Sequence, residues 1–403
     1  MDNALTDQTV DASSKRRTWL LVVGLVYVLL IGVSVIGDGF KLASGGADGA
    51  REIFAFATNP LVGVLLGVLA TALVQSSSTV TSVIVGLVAG GLPVSLAVPM
   101  VMGANMGTTV TNTIVALGAM RDDDSFRRSF TAATVHDIFN FMAIAILLPI
   151  EIFFRPLETM AGSLATSLAG EGSASMKGLN PIAFVTAPPA DAIAHVGGLV
   201  GNDLVGGLGM ILLGIAFVIG AVLKLGSALK QVMVGRALEL LHGALGRGPL
   251  AGIGSGTLIT ILVQSSSTTT SLIVPLAGAG SLSLRQVYPF TLGANIGTTI
   301  TALLAATAVS GEFEVFALQI ALVHLLFNVV AVFGATYIPL LNQIPMRGAT
   351  LLGELAERSR GLAIAYLFGV FFIIPGIAFG VGQALGERIP GGEDPPAAVS
   401  SGH

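Results

Sequence analysis

The chain contains no cysteine in 403 residues, and only 10% of its residues are charged. The missing cysteine excludes disulfides, thiolate metal centres and thiol nucleophiles. The scarcity of charge excludes more, because a soluble globule of this size needs a polar surface that these residues cannot supply. Between Ile53 and Met120 there is no Asp, Glu, Lys or Arg, and between Gly248 and Gly311 the only charge is Arg285. No basic stripe points to nucleic acid. No nucleophile and base pairing, metal cluster or nucleotide loop is legible, so the residues do not read as an enzyme.

In place of charge there is hydrophobicity, at 53% of residues with a mean hydropathy of +0.87, which places the chain in a bilayer. Apolar runs long enough to cross it, at roughly 20 residues per helix, extend from about Trp19 to Gly37, Val205 to Leu223 and Gly361 to Gly386. Strands of a barrel would alternate in short segments, so the expectation is an all-α polytopic membrane protein. Lys15-Arg16-Arg17 before the first run places the N-terminus on the cytoplasmic side.

Within this background one segment occurs twice. Gln75-Ser76-Ser77-Ser78-Thr79 returns as Gln264-Ser265-Ser266-Ser267-Thr268, and Pro60-Leu61-Val62-Gly63 returns as Pro249-Leu250-Ala251-Gly252. Further on, Gly103-Ala104-Asn105-Met106-Gly107-Thr108-Thr109 matches Gly293-Ala294-Asn295-Ile296-Gly297-Thr298-Thr299, and His136 to Asn140 matches His324 to Asn328. Landmarks in one order at nearly one offset indicate an internal repeat.

The spacing gives each copy a form. Residues Pro60 to Val74 and Thr79 to Gly90 are each too short to span, as are Pro249 to Val263 and Thr268 to Gly280. They read as limbs of two re-entrant helical hairpins with the polar runs at their tips, each followed by a helix broken at Gly-Ala-Asn-x-Gly-Thr-Thr. The divisions are then a disordered tail over 1–18, a first transmembrane half over 19–153 (motif region 60–140), an extracellular linker over 154–204, a second half over 205–386 (motif region 249–328) and a disordered tail over 387–403. The 121–128 loop carries three Arg where its counterpart at 311–314 carries two Glu. Opposite bias at equivalent loops predicts two inverted repeats.

Five consecutive polar side chains at bilayer depth must be buried in protein, hydrated or coordinating something, since an unpaired hydroxyl or amide in hydrocarbon costs several kcal/mol. A hairpin tip offers backbone amides at one helix N-terminus and carbonyls at one C-terminus, suited to anions and sodium respectively. Ser and Thr hydroxyls serve either partner. Gln75, Gln264, Asn105 and Asn295 add neutral amides, and Thr108, Thr109, Thr298 and Thr299 add hydroxyls. With no Lys or Arg in the motifs, the set suits an alkali cation, and an anion bound there needs co-bound cations, which couples the two. His136 with Asn140 and His324 with Asn328 share helix faces and read as hydrogen bonds between helices. Arg285 reads as snorkelling to the interface. Asp137 is the one carboxylate inside a motif helix, with Leu325 as its counterpart, and an intramembrane carboxylate is a functional candidate.

The paired QSSS segments, the GANxGTT runs and Thr134-Val135-His136-Asp137-Ile138-Phe139-Asn140 resemble the type II sodium-phosphate cotransporter family, in the form of a bacterial homologue. The resemblance covers most of the chain from Thr18 to Gly386 and departs from animal members in lacking the cysteines of their large disulfide-linked loop. It implies sodium-driven import of inorganic phosphate across the cell membrane by alternating access, with a transport domain moving against a scaffold. It implies that both QSSS tips lie at the substrate and sodium sites, and that Asp137 adds a sodium ion and net charge movement. On the residues themselves, phosphate binding is assigned to Ser76, Ser77, Ser265, Ser266, Asn105 and Asn295, and sodium binding to Gln75, Ser78, Thr79, Gln264, Ser267, Thr268, Thr108, Thr298 and Asp137. No cofactor is implied beyond the co-transported sodium, and the partners are phosphate, sodium and membrane lipid. A carrier for another oxyanion or a dicarboxylate, or a phosphate channel or exporter, remains open on the residues alone.

Overall fold

In the computed structural model, residues 12–45, 49, 59–169, 181–244, 247–378 and 380 are described. The expected C-terminal tail, the first eleven residues of the N-terminal one and residues 170–180 of the expected linker lie outside them. Every described element is helical. The first half runs α1 (Ala12–Ser44), α2 (Pro60–Val74), α3 (Ser77–Ala89), α4 (Val94–Gly107), α5 (Val110–Leu117) and α6 (Asp123–Phe154). Then come α7 (Pro156–Ala169) and α8 (Pro181–Gly198). The second half runs α9 (Asp203–Ala244), α10 (Pro249–Val263), α11 (Ser266–Gly278), α12 (Leu284–Ala306), α13 (Glu314–Tyr337), α14 (Pro339–Arg358) and α15 (Arg360–Phe368), which continues through a π-helical turn at Gly369–Ile373. Among the described residues six helices are long and apolar enough to cross a membrane: Arg16–Ser44, Asp123–Phe154, Asp203–Leu229, Leu284–Ala306, Glu314–Tyr337 and Arg360–Ala378. The protein is a multi-pass, all-α membrane protein.

The short limbs begin and end where their residues dictate. Pro60 and Pro249 occupy the first turns of α2 and α10, where a missing N–H costs nothing. Asn59 caps α2 by accepting from Leu61 N at 2.9 Å. Both limbs stop at a glutamine in the left-handed region, Gln75 at φ 59° and Gln264 at φ 54°. An extended serine follows each, Ser76 and Ser265, and caps the next helix.

Glycine then sets how closely the limbs cross the following helix. A Cβ on Gly67 would collide with the Met100 carbonyl, and one on Gly103 with the Val64 carbonyl. The second copy repeats this: Gly256 faces the Phe290 carbonyl and Gly293 the Ile253 carbonyl. Packing of α2 on α4 and of α10 on α12 therefore brings backbone against backbone.

That use of glycine corrects one expectation. The first GANxGTT run interrupts its helix at Thr108–Thr109, between α4 and α5, as expected. The second does not, since α12 continues unbroken through Gly293–Thr299. Gly297 is consumed by close approach to Thr260. Thr298 and Thr299 return their hydroxyls to Ala294 O (3.0 Å) and Ile296 O (2.7 Å), so the helix accommodates both without opening. A second difference lies in the stretch read as a linker, which holds α7 and α8, each starting at a proline. A third is that α1 begins at Ala12, inside the stretch read as a tail.

The halves interlock by exchanging partners. Helix α3 packs on α12 and α13, while α11 packs on α5 and α6; α7 lies against α13, and α14 against α6. The stripe Pro345, Ala349, Gly353 and Ala356 gives α14 a small-residue face for that contact. The exchange carries both polar tips into the interior, beside the long pair α1 and α9.

Candidate functional site

The two tips line one cavity of about 390 Å³, together with Thr111 of α5 and Val222, Leu223, Gly226 and Ser227 of α9. That volume is within the range of small-ligand pockets. Its polar lining comes from Gln75, Ser76, Ser77, Ser78, Gln264, Ser265, Ser266, Ser267, Thr268 and Ser271, with no ionisable side chain among the described residues.

Each tip has the same local construction. Ser76 Oγ accepts from Thr79 N at 3.2 Å, and Ser265 Oγ accepts from Thr268 N at 3.1 Å. These caps satisfy the third amide of α3 and of α11. The amides of Ser77, Ser78, Ser266 and Ser267, in the same first turns, have no carbonyl of their own helix within reach. Gln75 Nε2 donates to Ala72 O, and Gln264 Nε2 donates to Ile261 O at 2.7 Å. Their Oε1 atoms accept from Thr111 (2.8 Å) and Thr301 (2.9 Å). Both ends of each amide are thereby held, and each Oε1 keeps one lone pair. The cavity thus collects two helix N-termini, two helix C-termini and two oriented amide oxygens.

Behind the tips lies a fully buried polar chain. Thr270 Oγ1 is within reach of Ser266 O (2.8 Å) and of Asn112 Oδ1 (2.7 Å). Asn112 Nδ2 stands 3.4 Å from His136 Nδ1, and His136 Nε2 stands 2.5 Å from Asn295 Oδ1. Asn295 and Asn105 both donate to Asn140 Oδ1, at 2.8 and 3.1 Å. Asn105 Oδ1 meets His324 Nε2 at 3.4 Å and Asn328 Nδ2 at 3.3 Å. Donation to an amide oxygen by each histidine fixes its Nε2–H tautomer. Each half's motif asparagine is therefore held by the other half's histidine.

Nine of the residues expected at the site line the cavity: Gln75 to Ser78 and Gln264 to Thr268. The others sit elsewhere. Asn105 and Asn295 belong to the buried chain. Thr79, 1% exposed, donates to Ser76 Oγ at 2.9 Å and so sits behind the tip. Thr108 and Thr298 hydroxyls return to Ala104 O (3.4 Å) and Ala294 O (3.0 Å). Asp137 is buried on α6, its Oδ2 accepting from Tyr366 OH at 2.8 Å and standing 3.4 Å from Thr113 Oγ1.

Sequence reasoning missed Thr111, Thr301, Asn112, Ser227 and Tyr366. For the two threonines a signal existed, because the repeat continues beyond GANxGTT to a third threonine two residues on, in Gly-Thr-Thr-Val-Thr and Gly-Thr-Thr-Ile-Thr. Ser227 lies in a helix with no repeated motif and gave no signal.

Residues 28–172 and 216–344 match the Na+/Pi-cotransporter family. The chain is 32% identical to the sodium-dependent phosphate transport protein 2A of Rattus norvegicus, over 98% of this chain and 72% of the relative. It is 31% identical to the 2B protein of Homo sapiens, over 91% of this chain and 65% of the relative, and 31% identical to the 2C protein of Rattus norvegicus, over 70% and 58%. No solved structure matches. A duplicated tip, a shared charge-free cavity and a match across most of the chain agree, and the chain belongs to the Na+/Pi-cotransporter family.

Proposed function

We propose that this protein is a sodium-coupled symporter that imports inorganic phosphate across the cell membrane by alternating access. One observation carries the reading: two helix N-termini and two oriented glutamine oxygens converge on a cavity that no ionised side chain lines among the described residues. The N-terminal amides and the hydroxyls of Ser76, Ser77, Ser265 and Ser266 suit phosphate oxygens. The two helix ends together supply only about 1–4 kcal/mol at up to ~2 kcal/mol each, against several kcal/mol for removing each charge from water. Sodium bound at Gln75, Gln264 and nearby carbonyls closes the difference, so neither ion binds well alone. Reciprocal linkage of that kind is coupling.

Asparagines 105 and 295 act in this scheme through the buried chain, keeping the two halves in register with each other's histidines. Asp137 adds a further sodium and net charge movement. The exchanged packing of α3 and α11, with three Arg in the 121–128 segment where 311–314 has no basic residue, supports two inverted repeats able to rock about the cavity. Family membership implies transport and not catalysis.

The test is radiolabelled phosphate uptake into proteoliposomes under an inward sodium gradient, with potassium as control, in the wild type and in the pair Ser77→Ala with Ser266→Ala. Accumulation that requires sodium and is lost in the folded double variant is expected. Uptake indifferent to sodium would overturn the coupling. Uptake suppressed by excess sulfate or succinate as strongly as by unlabelled phosphate would overturn the substrate.

A further inference from the structure

Asp137 breaks the repeat, since its counterpart is Leu325. One group that meets it also stands outside the duplicated motifs: Tyr366, on the last described helix. The phenol donates to Asp137 Oδ2 at 2.8 Å, and the Thr109 and Thr113 hydroxyls also face the carboxylate; among the described residues Oδ1 meets no donor in hydrogen-bonding geometry, although the residue is 0% exposed. A buried carboxylate with one oxygen tied and the other unpartnered is oriented toward something that the protein itself does not supply.

The tyrosine is held in turn. Its ring meets Phe130 of α6 edge-on at 6.1 Å and Phe371 edge-on at 6.2 Å. Tyr366 and Phe371 are five residues apart, a spacing that an α-helix rotates about 140° apart and that π-type winding draws together. The π-helical turn at Gly369–Ile373 begins three residues after Tyr366 and holds Phe371, itself 0% exposed. The π-helical turn thus holds the phenylalanine that packs edge-on against the Tyr366 ring. A π-turn placed beside a functional group is a recurrent arrangement.

We infer that Tyr366 is a positioning residue for Asp137: its hydroxyl occupies Oδ2 and so presents Oδ1 as the free oxygen for a sodium ion. The inference rests on the proposed reading of Asp137 as a sodium ligand. It makes the C-terminal helix part of the cation site and not merely a wall against lipid.

The experiment is equilibrium binding of radioactive sodium to purified full-length protein by scintillation proximity, with phosphate binding at saturating sodium measured alongside. The variants are Tyr366→Phe, Asp137→Asn and both together, plus Thr113→Val, which removes the more distant donor to the same oxygen. Phenylalanine keeps the ring contacts with Phe130 and Phe371, so packing is conserved. Tyr366→Phe is expected to weaken sodium binding about tenfold, the scale of one hydrogen bond to a charged group. Phosphate affinity at saturating sodium stays within about twofold on this account, because no contact with the tips is lost. Thr113→Val shifts sodium in the same direction and less, and Tyr366→Phe adds nothing in the Asp137→Asn background. An equal loss in both backgrounds, or none in Tyr366→Phe while Asp137→Asn loses sodium, overturns the positioning role alone. Wild-type sodium binding in Asp137→Asn overturns the reading of Asp137 and the inference with it.

Discussion

The glutamine at each tip is the most constrained residue of the cavity. Its backbone is left-handed, its amide nitrogen is tied to a carbonyl one turn back, and its amide oxygen is tied to a threonine of another helix. The threonine matters because an amide held at both ends cannot swap its oxygen for its nitrogen. Thr111→Val and Thr301→Val each preserve shape and delete one donor. Each is expected to weaken sodium dependence of uptake by roughly 2- to 10-fold, the equivalent of about 0.5–1.5 kcal/mol for a neutral hydrogen bond. Sodium titrations of phosphate uptake in the two variants check this, and unchanged half-saturation in both would remove the glutamines from the cation site. Gly226 supplies a complementary probe from the opposite wall, where an added Cβ would lie 3.9 Å from Ser265. Gly226→Leu projects a branched side chain into the cavity and is expected to abolish phosphate uptake while the protein still folds, as size-exclusion profiles would show.

At the scale of elements, the repeated glycines are as determining as the repeated serines. Gly67 and Gly256 each face a backbone carbonyl, which cannot rotate away as a side chain would. Gly67→Ala and Gly256→Ala are each expected to destabilise the folded protein by about 1–3 kcal/mol through overpacking, lowering the thermal midpoint in detergent. Gly24→Ala is the control, since nothing lies within 4 Å of a Cβ there. The same contacts explain what the sequence disclosed and what it hid. Limb boundaries were legible because Pro60, Pro249 and the polar tips punctuate them. Continuity of α12 was not, because a glycine that permits close crossing and a glycine that breaks a helix are the same letter. Helix α14 escaped notice because Gln343, Arg347, Glu354 and Arg358 dilute its hydropathy, while its small-residue face packs on α6. Of the cavity, the tips were readable from duplication, whereas Ser227 comes from a helix outside the repeated motifs, as does Tyr366 beside Asp137, and each meets its neighbours only on folding.

For the whole molecule the decisive property is the relation between its halves. The two tips meet at one cavity, and each motif asparagine is bonded to the other half's histidine, so the halves share one cavity and one buried polar chain. Rocking of one half against the other about that site fits halves that are inverted in the membrane, with the site at the repeat interface. Inversion makes a prediction that this chain is well suited to test, for it has no cysteine to give background labelling. Arg121, in the loop before α6, and Glu312, in the equivalent loop before α13, are both exposed. Single substitutions Arg121→Cys and Glu312→Cys in intact cells, probed with a membrane-impermeant maleimide, are expected to label from opposite sides. Arg121→Cys should react only after permeabilisation, consistent with the Arg-bearing loop facing the cytoplasm, and Glu312→Cys should react directly. Labelling of both from one side would mean parallel repeats and would overturn the inverted arrangement.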